Sequence, residues 1–280
     1  MTETCTTLPS SVLAAGGILE RIVEAKSRRL EEAKRRTPLE QLAEQALAID
    51  NSATRRSLAE ALGRTDRVNI IAEIKQRSPS KGIICEDFDP VRIAVGYANA
   101  GAAALSVLAE EDFFGGSLEH LKAIRERVTV PLLRKDFIFD QYQLYESVVA
   151  GADAVLLIVA ILEDEPLAKL IELTRKLGLE SLVEVHSGDE MRRAAEAGAA
   201  IVGVNNRDLT TFNVDLRTSI ELAADAPKGA TLVSESGINT GSDIRRLRSA
   251  GFNAFLVGEH LMKASEPGEA LRRLIDEAEV

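Results

Sequence analysis

The chain has 280 residues, a formal net charge of −10 and a pI near 5.0: long enough for one large α/β domain, and wrongly charged for nucleic acid or an anionic membrane surface. Its two cysteines, Cys5 and Cys85, form no CxxC pair, which argues against a disulfide framework or zinc ribbon and for a reducing, cytoplasmic setting. Residues 1–17 lack a basic start, and no apolar run approaches the ~20 residues of a membrane span, so the chain reads as soluble.

The first periodic stretch, Ile18 to Ala33, sets Leu19, Ile22, Val23 and Leu30 among Lys, Arg and Glu residues and predicts an amphipathic helix. A shorter helix, Leu39 to Ala48, is predicted behind Pro38, a favoured first-turn residue. Both belong to an extension over residues 1–69. Two roles stand open for it: a cap over one end of the domain, or a lid near a substrate.

From Asn69 onward, short apolar runs alternate with helix-like stretches. NIIAEIK (69–75), VPLLRKD (130–136), SLVEVH (181–186) and TLVSES (231–236) interleave with the apolar runs that follow the Ala-Gly phrases at Gly101, Gly151, Gly198 and Gly251. Eight strand-helix units in one chain predict a (β/α)8 TIM barrel over residues 70–280. Helix starts are marked by Asp89-Pro90, Ser117 and Asp140, by a capping-box pattern at Ser187 and Glu190, and by a weaker analogue at Thr240 and Asp243. The four glycines sit where helices should stop, since glycine takes the left-handed cap at little cost.

Ionisable residues gather at the carboxyl ends of the strands, where barrels of this kind hold their active sites. Alternation puts Glu73 and Lys75 on one face of the first strand, with Ile71 deeper on the same face. The loop that follows, QRSPSKG with Ser78, either closes over a ligand or is a solvated loop beside a rim ion pair. Lys135 ends the third strand and Glu184 the fifth, with His186 one step further out and read as a rim histidine. The sixth ends at Asn205, Asn206 and Arg207, which either orient and attract an anionic ligand or form a turn with a surface arginine. Glu235, Ser236 and Gly237 end the seventh strand, Gly258 and Glu259 the eighth, and these two strand ends are the usual place for a phosphate. Converging charges are hard to explain as stability, because buried ion pairs seldom stabilise more than apolar packing would. His120, His186 and His260 lack metal-ligand spacing, and no GxGxxG follows the first strand, so neither a metal nor a cofactor is expected.

AEIKQRSPSKG, FFGGS, LLRKDF, ADAVLLI, LVEVH, GVNNRDL, SESGI and FLVGE, in order and at barrel spacing, make the chain resemble the indole-3-glycerol phosphate synthase family of tryptophan biosynthesis from about residue 18 to its end. The resemblance implies closure of an indole ring on 1-(2-carboxyphenylamino)-1-deoxyribulose 5-phosphate, with loss of carbon dioxide and water. It implies Lys135 as general acid at the substrate carbonyl, with Lys75 contacting the substrate carboxylate and phosphate and donating a proton in the dehydration. Glu184 and Glu73 would handle protons at the departing hydroxyl and the ring, while Asn205 and Glu235 orient sugar hydroxyls or the anilino nitrogen. Ser236, Gly237, Gly258 and the amide of Glu259 would bind phosphate with Ser78 and Arg207, and Phe114 and Phe137 would wall the aromatic ring. Some relatives have serine where this chain has Glu259, so its side chain is expected to point away from the phosphate.

Two rivals remain at this level: a Schiff-base aldolase using Lys135 as a deprotonated amine, and a non-catalytic barrel that binds a phosphate ligand. Inward carboxylates speak against the second, since a phosphate binder gains nothing from repelling its ligand. The expected partner is a small anionic sugar phosphate, and no sequence signal decides whether the chain associates with other enzymes of that pathway.

Overall fold

The structure, a computed structural model, describes residues 11–13, 16–49 and 55–280. Cys5 and parts of the 1–69 extension lie outside the described residues.

All eight apolar runs form strands: Asn69–Ile74, Ala104–Leu108, Leu132–Lys135, Ala154–Ile158, Glu180–Val185, Ile201–Asn205, Thr231–Glu235 and Ala254–Val257. They pair in parallel in chain order, and the eighth pairs with the first to close the barrel. Helices surround the strands, so nearly every strand residue is buried, and the sequence runs apolar rather than alternating polar and apolar. Ile71, Leu133, Leu182 and Val233, fully buried, each lie two residues before a predicted site residue and share its face. An apolar layer thus sits beneath a charged one.

The caps follow the sequence signals. Asp89 accepts the N–H groups of Val91 and Arg92, and Asp140 and Thr240 form complete capping boxes with Gln143 and Asp243. Gly101, Gly151, Gly198 and Gly251 hold φ values of 96°, 81°, 80° and 102°, the left-handed conformation expected of them. At Ser187 only half of the box forms. Its hydroxyl accepts the Glu190 N–H, but the Glu190 carboxylate turns to His186.

The extension divides between the two ends of the barrel. Helix α1 (Gly17–Arg36) lies at the carboxyl-terminal mouth, and α2 (Leu39–Ala48) follows it with the predicted bounds. A five-residue helix, α3 (Leu58–Leu62), was not foreseen. It seats two fully buried leucines against the opposite end of the barrel, held by Asn69, whose amide donates to the Leu62 and Arg64 carbonyls. The loop after the first strand contains an unforeseen antiparallel hairpin, Arg77–Ser78 with Gly82–Ile83.

Candidate active site

At the mouth the strand ends enclose a cavity of about 470 Å³, a size suited to a small molecule. Glu73, Lys75, Lys135, Glu184 and Asn205 line its floor, and Phe114 and Phe137 stand beside each other with ring centroids 6.2 Å apart. Ser78, Arg207, Ser236, Gly237, Gly258 and Glu259 line it as well. Of the predicted site residues only Glu235 does not; it lies fully buried just under the floor.

Lys135 is the hub. Its Nζ lies 2.9 Å from Glu235, 3.5 Å from Glu184 and 3.9 Å from Glu73. Glu73 also pairs with Lys75, and the Asn205 amide donates to Glu184 at 3.1 Å. Two glycines make room for this cluster. A Cβ at Gly203 would collide with the Glu235 carboxylate, and one at Gly258 with that of Glu73. Gly258 therefore makes room for the Glu73 carboxylate itself.

The cluster separates its members' proton affinities. Burial opposes the charge on Lys135, but Glu235, Glu184 and Glu73 outweigh it and hold the ammonium form well above the ordinary lysine range. Burial likewise disfavours the Glu184 carboxylate, yet Lys135, His186 and Asn205 bring its pKa down to about 2. Glu73 is held below its ordinary value by Lys75 and Lys135 against the same burial. Glu235 goes the other way, pushed up to about 7 by burial, with repulsion from Glu184 and Glu73 adding to it despite Lys135. Its Oε1 has no hydrogen-bond partner. One acid, two firmly ionised carboxylates and one carboxyl poised near neutrality make a set for moving several protons.

After the seventh strand the backbone is strained. Ser236 has φ 65° and Gly237 φ 83°, and a left-handed serine costs about 1–3 kcal/mol. Asn206 holds this turn, donating to the Glu235 and Ser236 carbonyls and to Ser234 Oγ. Asn205 thus faces the cavity, whereas Asn206 serves the scaffold. Glu259, expected to turn its side chain away, keeps it at the cavity edge, where Lys263 (2.6 Å) and Arg207 (3.4 Å) hold the carboxylate.

Of the two roles left open for the extension, α1 stands near the substrate side, its Ile18, Leu19 and Ile22 lining the cavity; sequence reasoning missed the wall supplied by Leu209, Phe212 and Val214 after the sixth strand. The periodicity of α1 shows an apolar face but not what that face meets. Also missed was buried Asp136, which pairs with Lys26 of α1 at 2.8 Å and Arg134 at 2.7 Å. Lys26 further reaches Glu111, and Arg29 reaches Asp112. In the same loop the Glu110 carboxylate accepts the N–H groups of Asp112, Phe113 and Phe114. Among the described residues no cluster with metal-ligand character occurs, and no helix is long and apolar enough to cross a membrane.

A family model described as indole-3-glycerol phosphate synthase matches residues 19–274. The indole-3-glycerol phosphate synthase of Carboxydothermus hydrogenoformans is 46% identical over 261 residues, covering 92% of this chain and 99% of that protein. The protein of the same name from Lachnoclostridium phytofermentans is 43% identical over 273 residues, covering 92% and 98%. Among solved structures, the 3-hexulose-6-phosphate synthase of Salmonella typhimurium superposes with a TM-score of 0.60 at 15% identity, covering 75% of this chain and 97% of that one. That last likeness bears on the fold alone.

Proposed function

The chain belongs to the indole-3-glycerol phosphate synthase family, and on that premise we propose how its barrel mouth closes the indole ring. The enzyme is a carboxy-lyase of tryptophan biosynthesis acting on a small phosphorylated substrate. It converts 1-(2-carboxyphenylamino)-1-deoxyribulose 5-phosphate to indole-3-glycerol phosphate, carbon dioxide and water.

The observation that carries the mechanism is the Lys135 ammonium held among three carboxylates. The ring carbon bearing the carboxylate attacks the ribulose carbonyl, and Lys135 protonates the carbonyl oxygen as the bond forms. Carbon dioxide then leaves, and its bonding pair restores the aromatic ring. Lys75, beside Glu73, protonates the new hydroxyl so that it departs as water, while Glu184 removes a proton from the adjacent carbon. Two protons enter and one leaves, matching the charge lost with the carboxylate. Glu235, poised near neutrality and bonded to Lys135, returns a proton to that amine. Lys75 and Arg207 meet the two anionic groups, Ser78, Ser236, Gly237, Gly258 and the Glu259 amide hold the phosphate, and Asn205 with Glu184 orients the chain between them. Phe114 and Phe137 flank the aromatic ring.

Of the 1–69 extension, helix α1 serves the 70–280 barrel as a clamp at the mouth. Lys26 and Arg29 tie α1 to Asp136 and to the loop of Glu111 and Asp112, next to Phe137 and Phe114 respectively. Work in the cytoplasm, away from membranes and nucleic acid, fits the charge of −10.

The test is Lys135→Met. Ring closure should vanish while the folded protein still binds a phosphate-bearing analogue. The chain has no Trp, so product fluorescence is read against little background. Borohydride added with substrate should trap nothing; substrate mass attached at Lys135 would establish the aldolase chemistry instead.

A further inference from the structure

His186 stands two residues beyond Glu184 on the same face of the fifth strand, and the mechanism above gives it no task. It does not line the cavity, and its side chain is 14% exposed. Its Nε2 lies 3.3 Å from Glu184 Oε1, and its Nδ1 lies 3.3 Å from Glu190 Oε2. That same Glu190 oxygen accepts the His186 backbone N–H at 2.8 Å, and Glu190 is fixed in turn by the Ser187 cap. The ring is therefore strung between two carboxylates. A neutral imidazole offers one N–H and one lone pair, so one contact would set a lone pair against a carboxylate; only the imidazolium suits both sides. Nε2 lies off the line of a directed hydrogen bond to Glu184, which leaves charge as the main content of that contact.

We infer that His186 is a positioning residue for ring closure, an imidazolium clasped by Glu190 that keeps the Glu184 carboxylate ionised and in place. The inference rests on the reading that Glu184 exchanges a proton with substrate. Substrate brings two more anions into a cavity already lined by Glu73 and Glu184, which raises the carboxylates' proton affinity. Lys135 cannot offset this throughout, because it gives its proton away in the first step. His186 can: it is set back from the cavity, out of the substrate's reach, and retains its charge. The groups facing the ring are Glu184 on its own strand and Glu190 on the following helix, and Asp208 in the loop after the sixth strand also feels its charge. Burial works against the imidazolium, but Glu184 and Glu190 prevail and push its pKa up to about 10.

Two measurements decide the matter. In the first, kcat/KM against pH is compared for the parent, His186→Gln and His186→Leu. Loss of the charge should move the acid limb up by about one pH unit in both variants, with kcat reduced, and an unmoved limb overturns the inference. The second is an NMR titration of the ring in the parent and in Glu190→Gln, which needs no turnover. The parent His186 should stay protonated past pH 8, and Glu190→Gln should lower its midpoint; a parent midpoint near 6.5 overturns the inference. Glu184→Gln separates the two readings. If that variant keeps full ring closure, the role of Glu184 fails and that of His186 with it. If it is inactive while the His186 variants keep the parent profile, only the role of His186 fails.

Discussion

The fifth barrel strand carries a glutamate at each end, and their surroundings differ in kind. Glu180, at the base, accepts the N–H groups of Leu58 and Ala59 and the hydroxyl of Ser57, all from the start of α3. Glu184, at the mouth, meets Lys135, His186 and Asn205 instead. Backbone donors at a helix start cannot leave without unfolding the helix, so Glu180 fastens the extension to the barrel. Side-chain partners can shift or change charge, so Glu184 is free to trade a proton. One residue type on one strand thus does structural work at one end and chemistry at the other, according to who supplies the partners.

Swapping the same substitution between the two ends tests this most sharply. Glu184→Gln should cut kcat on the order of 100- to 10,000-fold in a protein that still folds. Glu180→Gln should cost about 1–3 kcal/mol of stability, because charge-assisted bonds from the Leu58 and Ala59 N–H groups and the Ser57 hydroxyl become weaker bonds to a neutral amide, with kcat in the folded fraction kept. A Glu180 variant that lost activity without losing stability would break the distinction.

Next in size is a pH effect confined to the mouth. Glu235 has its folded pKa raised from 4.5 to about 7, so the native state binds its proton more tightly and stability falls as pH rises through that window. Glu184 contributes oppositely: its folded pKa is lowered to about 2, giving stability that is present above 4.5 and lost as pH falls toward 2. Glu235→Gln should flatten the decline between about pH 4.5 and 7 in denaturant melts.

Arg207→Ala should raise KM about tenfold, the loss of one charge-assisted contact to an anion, and weaken competitive inhibition by inorganic phosphate. Gly258→Asp, the obvious charge insertion, is a poorer probe, because any Cβ there strikes Glu73. The smallest effect belongs at the base. Ser57 caps α3 and donates to Glu180, so Ser57→Ala should cost about 1 kcal/mol with KM and kcat unaltered.

The mouth was far more legible in the sequence than the base. Glu73, Lys135, Glu184 and Asn205 stand at the ends of strong apolar runs, where the alternation of a strand fixes their direction. The α3 plug is only five residues long, too short for a helical period, and its sole signal was Ser57 followed three residues later by Glu60. The hairpin of residues 77–83 has two-residue strands and no period at all. What His186 and Asp136 touch depends on which loops and helices fold over them. Their partners lie on other elements, Lys26 being 110 positions from Asp136 in the numbering, and strand periodicity carries no information about them. The Ser187 signal was half right for the same reason: the local pattern named the cap, and tertiary context redirected Glu190 to the histidine.

The buried pair of Lys26 with Asp136 also sets an order of events. Helix α1 leaves the ribosome before any barrel strand, yet its anchors, Glu111, Asp112 and Asp136, are made only with the second and third strand-loop units. The barrel cannot close until residues 254–257 arrive to pair with 69–72. Contacts so distant in sequence form late and slowly. The first helix among the described residues to be synthesised is thus among the last to dock, and its many Lys, Arg and Glu side chains keep it solvated while it waits.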